Sequence, residues 1–220
     1  MSTSTVPLLS SRDRILLAAK GLFAKSSYEN TSTVAIARQA GTSESQLMKH
    51  FGSKQGLLFA ILEQGWSAIL HQAYALSSVP VRSPQTLVEV LESPIVELDH
   101  DPEMKAVLVL EWRRARRENT GEPGEGYLQF STLIENILRD LKQRGAFKPD
   151  LNIAATAAAL FGMVEGILFE QILGARDKRP ARYEAEDVRR VLDAFIFGLA
   201  PEPMPSPGSE SRAANLSHAG

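Results

Sequence analysis

The sequence predicts an all-α protein, and three observations carry that reading. Apolar residues recur at spacings of three and four along most of the chain, and Ser, Thr, Gly and Pro interrupt those runs where helices would begin or end. No stretch alternates apolar and polar residues long enough to propose a strand. With 220 residues, 44% hydrophobic and 23% charged, the chain has ordinary globular composition and can form one domain or two small ones. There is no internal repeat.

Ser10 or Ser11 can cap a first helix whose Ile15, Ala18, Ala19, Leu22 and Phe23 share one face. This helix fades at the polar run KSSYENTS. Thr31 or Ser32 then caps a short second helix with Val34, Ile36, Ala37 and Ala40 inward, and Gly41 supplies the left-handed residue that helix C-termini often need. Ser43-Glu44-Ser45-Gln46 has capping-box spacing and opens a third helix with Leu47 and Phe51 inward. After a Gly52-Ser53 turn, a longer helix runs from Lys54 to about Ala75, with Leu57, Leu58, Ile61, Leu62 and Ile69 on its apolar side. Further helices are expected over roughly 84–98, where Pro94 should kink or split the helix, and over 103–118, 125–144, 151–174 and 184–199. Residues 201–220, rich in Pro, Ser and Ala, have little to bury and are expected to be disordered, as residues 1–10 are expected to be flexible.

Composition removes several chemistries. No cysteine is present, which excludes disulfides, thiolate nucleophiles and Cys-ligated zinc and fits a cytoplasmic location. The polar start has no signal-peptide pattern. In the longest apolar segment, IAATAAALFGMVEGILFEQIL, Glu165 and Glu170 interrupt the run, so a buried helix is expected rather than a membrane span. The four histidines, His50, His71, His100 and His218, do not sit at metal-ligand spacing, and Ser, His and Asp fall in no catalytic arrangement. Neither an enzyme nor a bound metal or cofactor is expected. The net charge of −2 hides an asymmetry: residues 1–60 carry seven cations against three carboxylates, an excess of +4, which leaves −6 for the rest. Such a basic N-terminal unit suits contact with phosphate.

Ala37, Gly41 and Leu47 have the spacing of a helix-turn-helix: a small residue where two helices cross, a glycine at the turn, and an anchor on the second helix. That second helix presents Thr42, Ser43, Ser45, Gln46, Lys49 and His50 outward. Gln pairs with adenine through two hydrogen bonds, Lys reaches guanine or phosphate, and Ser or Thr serves either. An ordinary solvated helix face has the same composition, so spacing alone leaves both readings open.

From about Arg14 to Trp66 the sequence resembles the TetR (tetracycline-repressor-like) family of transcriptional regulators. The matching residues are Ala19, Leu22 and Phe23; Thr33 (or Ser32), Ile36, Ala37, Ala40, Gly41 and Ser43; and Leu47, His50, Phe51, Ser53, Lys54 and Leu57. The resemblance implies a helix-turn-helix DNA-binding domain over 11–56 and a helical effector-binding and dimerisation domain over 57–200. It assigns the DNA groove to Thr42, Ser43, Ser45, Gln46 and Lys49, and the DNA backbone to Thr31, Ser32, Thr33, His50 and Lys54. Two departures stand out. Ser45 replaces a customary Gly, and Met48 replaces a customary Tyr and cannot donate a hydrogen bond to phosphate.

The resemblance further implies a homodimer formed by the last two long helices and a pocket enclosed by the helices before them. The small residues of 151–174, Ala154 to Gly166, allow close helix approach, and the segment is apolar nearly all round, which calls for cover on more than one face. The interface residues expected are Phe161, Gly162, Glu165, Gly166, Phe169 and Phe195. The pocket residues expected are Trp66, Trp112, Phe130, Ile134 and Phe161, with His71, His100 and Arg113 as polar partners. The implied function is a one-component repressor that binds a palindromic operator as a dimer and is released by a small, largely apolar effector. The alternative is a helical ligand-binding or interaction dimer whose DNA-binding surface has decayed.

Overall fold

Serine starts each of the first five helices. α1 (Ser11–Ser26), α2 (Thr33–Gln39), α3 (Glu44–Phe51), α4 (Lys54–Ser77) and α5 (Pro84–Asp99) are capped by Ser10, Ser32, Ser43, Ser53 and Ser83, each hydroxyl oxygen accepting the N–H three residues further on. The caps are therefore Ser10 rather than Ser11, and Ser32 rather than Thr31. At Ser43 the oxygen accepts from the Gln46 N–H at 3.2 Å, while the Gln46 side chain stays exposed. A reciprocal box closes instead at Ser83 and Thr86. The computed structural model describes residues 9–79, 82–111 and 124–201. The flexible start expected over 1–10 lies outside them apart from Leu9 and Ser10, and the disordered tail expected over 201–220 lies outside them apart from Pro201.

Among the described residues four more helices follow: α6 (Pro102–Ala106), which continues as a π-helical turn over Val107–Glu111, then α7 (Glu125–Gln143), α8 (Ile153–Arg176) and α9 (Ala185–Phe197). No strand occurs among the described residues. Gly41 closes α2 as expected, at φ 61°, with the Thr42 and Gly41 N–H groups returning to the Ala37 and Arg38 carbonyls.

Two expectations need correction. Pro94 does not split α5, which runs unbroken through it. Proline removes the N–H that would bond the Val90 carbonyl, and the buried Ser93 hydroxyl donates to that same carbonyl at 2.8 Å, so the acceptor is satisfied. The helix expected over 103–118 is α-helical only to Ala106, and the wider π turn that follows buries Val107, Leu108, Val109 and Glu111 together. Residues 112–118 of that expectation lie outside the described residues.

α4 is the spine. Its first half packs on α1 and α3, and its second on α5, α7 and the π turn. One apolar cluster follows it from Phe23, Ile36 and Leu47 through Leu57 and Ile61 to Leu91, Phe130 and Ile134. The boundary expected at 56/57 therefore falls inside a continuous helix. α9 rests on α5, where Val188, Leu192 and Ile196 are buried and Arg189 pairs with Glu92 at 2.9 Å.

α7 meets α4 at Gly126, where an added Cβ would lie 2.3 Å from the Trp66 Cβ and 2.7 Å from its Cγ. Those atoms sit close to the backbone and cannot swing away. Gly126→Ala is expected to destabilise the protein by about 1–3 kcal/mol through overpacking, seen as a lowered thermal midpoint. Gly162→Ala, with open space around it, is the comparison.

Candidate nucleic-acid interface and interior cavity

On α3, Leu47 is fully buried, and Ser45, Gln46, Met48, Lys49 and His50 are exposed, with Ser43 exposed and Thr42 half-buried at the helix start. The expected outward residues thus share one short, polar, basic face. The Ser43 and Ser32 oxygens each accept a helix N–H, which leaves their hydroxyl protons free to donate outward. Met48 is also exposed and puts an apolar group on that face.

Two expected phosphate contacts are placed differently. Thr31 is buried at 3% exposure, and its hydroxyl donates to the Ser27 carbonyl at 2.8 Å, so it faces the interior. Lys54 points back into the protein. Its ammonium donates to the Tyr28 carbonyl at 2.9 Å and the Thr31 carbonyl at 3.0 Å and lies 4.2 Å from the centre of the Tyr28 ring. Both residues hold the α1–α2 loop in place. Thr33 is half-exposed and donates to Glu44, tying the start of α2 to the start of α3. The start of α4 lies so close to the end of α3 that a Cβ on Gly56 would sit 2.2 Å from the Phe51 carbonyl oxygen.

Sequence reasoning missed the arginines that brace this unit. Arg14 donates to the Ala40 carbonyl and the Leu9 carbonyl, both at 3.0 Å, and Arg12 lies 5.3 Å from the Phe51 ring centre. They lie two and four residues past the Ser10 cap, and no local pattern marks them as braces.

Further along α4, Trp66 anchors an aromatic group. Its ring lies 6.0 Å from Phe130, 6.1 Å from Tyr127 and 6.4 Å from Phe161, and Tyr127 meets Phe161 edge-on at 4.9 Å. Beside this group is a cavity of about 40 Å³ walled by Trp66, Phe130, Phe161, Leu108, Val109 and Glu165, among others. Three expected pocket residues are therefore brought together. Ile134 is not among the lining residues: it is fully buried in the core. Trp112 and Arg113 lie outside the described residues. His71 lines a separate polar surface dent with Glu63 and Glu125, and His100 is exposed after α5. Burial, then the Glu125 charge, pushes the Glu63 carboxyl up. Glu97 and His100 have Glu-x2-His spacing, yet no group of three such residues able to hold a metal exists among the described residues.

The expected interface residues divide. Phe161 and Glu165 face the cavity, because the inward stripe of α8 is Ala157, Leu160, Val164 and Leu168 with these two beside it. Gly162, Gly166, Phe169 and Phe195 are exposed. An apolar groove of about 420 Å³ runs between α8 and α9 along Gly162, Gly166, Ile167, Val188 and Val191. α8 is long and apolar enough to span a membrane by length and composition, yet only 28% of its most apolar window is buried. Much of that surface is exposed.

A basic helix-turn-helix carried on a helical domain with an apolar cavity defines a class of ligand-responsive DNA-binding proteins. Residues 15–61 match the model of the tetR family of bacterial regulatory proteins, and residues 78–192, just over half the chain, match that of the C-terminal region of YsiA-like proteins. The transcriptional regulator UidR of Escherichia coli K12 is 28% identical over 202 residues, 90% of this chain and 92% of its own. The fatty acid degradation regulator FadR of Bacillus halodurans superposes with a TM-score of 0.73 at 15% identity, over 87% of this chain and 96% of its own. FadR of Bacillus subtilis, solved in complex with stearoyl-CoA, gives 0.71 at 18% identity, over 86% and 99%. The chain belongs to the TetR family of bacterial transcriptional regulators, with a helix-turn-helix and a helical ligand-binding domain.

Because Lys54 is a strut, Lys54→Ala is expected to lower both the thermal midpoint and DNA affinity, losing roughly 1–3 kcal/mol of charge-assisted hydrogen bonding. Gln46→Ala should lower affinity and leave the midpoint unchanged. Calorimetry with fluorescence anisotropy on each variant checks the contrast.

Proposed function

We propose that the protein is a dimeric one-component repressor acting in the cytoplasm. It docks two α3 helices into successive major grooves of a palindromic operator and leaves the DNA when a small, largely apolar effector enters the cavity. The observation that carries this reading is the exposed face of α3 held rigidly against α4, whose other half walls the cavity through Trp66. In this reading Thr42, Ser43, Ser45, Gln46 and Lys49 face the groove, and Ser32, Thr33 and His50 meet phosphate or sugar. Met48 offers an apolar contact suited to a thymine methyl.

Dimerisation is supported by the uncovered apolar surface. Gly162 and Gly166 lie one turn apart, each with room for a Cβ that would meet nothing within 4 Å, beside exposed Phe169, Val191, Phe195 and Phe197. A second copy seated there buries them, whereas a bilayer would have to accept Glu170. Effector chemistry follows from the cavity walls, which among the described residues are aromatic and aliphatic apart from Glu165. At about 40 Å³ the cavity holds little more than one water molecule. An effector of ordinary size needs several hundred Å³, so binding must move walls.

The test is binding of the purified protein to DNA from upstream of its own gene, by anisotropy across a salt series with an unrelated fragment as control, followed by selection from random DNA. Saturable, sequence-preferring binding that weakens steeply with salt is expected. Val191→Glu/Phe195→Glu should turn the dimer into a monomer by sedimentation and reduce affinity at least about a hundredfold. No selected sequence, or a monomer already in the wild type, contradicts the proposal.

A further inference from the structure

We propose that the loop joining α8 to α9 is a second DNA contact, made to phosphates alone, in which Lys178, Arg179 and Arg182 hold the stretch of duplex between the two recognition helices. This rests on the reading of the protein as a dimeric DNA binder. Residues 176–182 carry four cations, Arg176, Lys178, Arg179 and Arg182, against Asp177 alone, and every one of these residues is exposed. Residues 61–220 carry −6 in all, so the loop's +3 leaves −9 for the remainder. A basic loop on an acidic domain is a local feature that the net charge conceals.

The loop lies at the end of its domain nearer the DNA-binding unit. Near the end of α8, Gln171 accepts from Lys105 at 3.0 Å, and Arg176 donates to the Ala24 carbonyl of α1 at 3.2 Å. α9 then runs back to the opposite end, where the Leu199 carbonyl accepts the Lys148 N–H at 3.0 Å. The loop is thus fastened beside the end of α1, from which the chain passes through Tyr28 to Ser32, a residue placed against phosphate above. In a dimer built on the α8–α9 face, two such loops flank the two-fold axis and face the centre of the operator.

The loop is shaped rather than slack. The Arg179 N–H returns to the Gly174 carbonyl at 2.9 Å and the Lys178 N–H to the Ala175 carbonyl at 3.3 Å, the pattern that closes a helix through a left-handed residue. Lys178 is that residue, at φ 54°, where glycine is the usual choice because a Cβ crowds the neighbouring carbonyl. Strain of this kind gathers at functional sites, and here it keeps a lysine in the turn. Arg176, Lys178 and Arg179 also suit the negative end of the α8 dipole, but Arg182 lies three residues before α9, where a cation is disfavoured. Helix electrostatics therefore leave Arg182 without an account. Arg179 meets Asp177 at 3.2 Å in an exposed pair, which is worth little in water and is easily exchanged for phosphate. Glu170 shares the dent that Arg179 and Arg182 line, which disfavours a small anion seated in it, whereas a duplex backbone meets the outer surface of the loop.

The test is a salt series, by anisotropy, on full-length protein with the selected DNA and with an unrelated duplex of equal length. Lys178→Gly and Arg179→Ala/Arg182→Ala are compared with Arg144→Ala, whose guanidinium pairs with Asp140 at 2.9 Å at the end of α7. With one phosphate contact per protomer at each position, the slope of log affinity against log salt should become shallower by about 2 for Lys178→Gly and about 4 for the double variant, at about 0.9 per contact. The loss should be alike on both duplexes, and Arg144→Ala should keep the wild-type slope. Lys178→Gly should weaken binding even though it relieves the backbone and leaves the thermal midpoint equal or higher. A slope unchanged in both loop variants overturns the contact, as does a lowered midpoint with the slope kept, the result that helix-end electrostatics alone would give. Wild-type protein that binds both duplexes equally would count against the regulator reading alone, because the loop's share of the slope is read on either duplex.

Discussion

The unbroken run of α4 from the α3–α4 turn to the cavity wall is the constraint on which the rest of the molecule depends. Twenty-four residues of continuous helix make the recognition surface and the cavity two ends of one rigid body. Close contacts fix both ends: the Phe51 carbonyl against Gly56 at the start, and the Trp66 side chain against Gly126 further along. Glycine at these two sites reflects proximity rather than flexibility, and α3 and α7 take their positions from it.

The helix-turn-helix was legible because its signals are local. Ser32, Gly41 and Ser43 mark helix ends whatever surrounds them, and Ile36, Ala37 and Leu47 follow a spacing that only a helix makes useful. The exposed face of α3 followed from that spacing. What could not be read was long-range. Lys54 looks like a phosphate contact until the fold brings the Tyr28 and Thr31 carbonyls to it, and Thr31 looks like a surface hydroxyl until Ser27 is seen to accept its proton. Glu111 accepts the Tyr28 N–H across most of the first half of the chain, and no periodicity announces such a pair.

In the second domain the sequence showed which segments are apolar but not which way each residue faces. Phe161 and Gly162 are neighbours on α8, yet one stacks on Trp66 and the other lies in open space. A helix apolar on every side carries no directional signal, so assignment to cavity or interface had to wait for α7 and α9 to be placed. Pro94 shows the same limit: its effect on α5 was decided by the hydroxyl of the residue before it. The outcome is a chain whose apolar surface is uncovered on one face and whose cavity is small, the two features on which the proposed dimer and effector site rest.

The proposed function requires two recognition helices held at a spacing set by the α8–α9 face. Because the chain contains no cysteine, a single Gln39→Cys change at the exposed end of α2, outside the residues placed against DNA, followed by spin labelling gives one label per protomer, and pulsed dipolar spectroscopy reads the distance between them. A single defined distance, matching recognition helices roughly 34–36 Å apart at successive major grooves, is expected to sharpen on operator DNA and to shift when the cavity is filled. Absence of dipolar coupling, or a distance far outside that range with DNA bound, would contradict it.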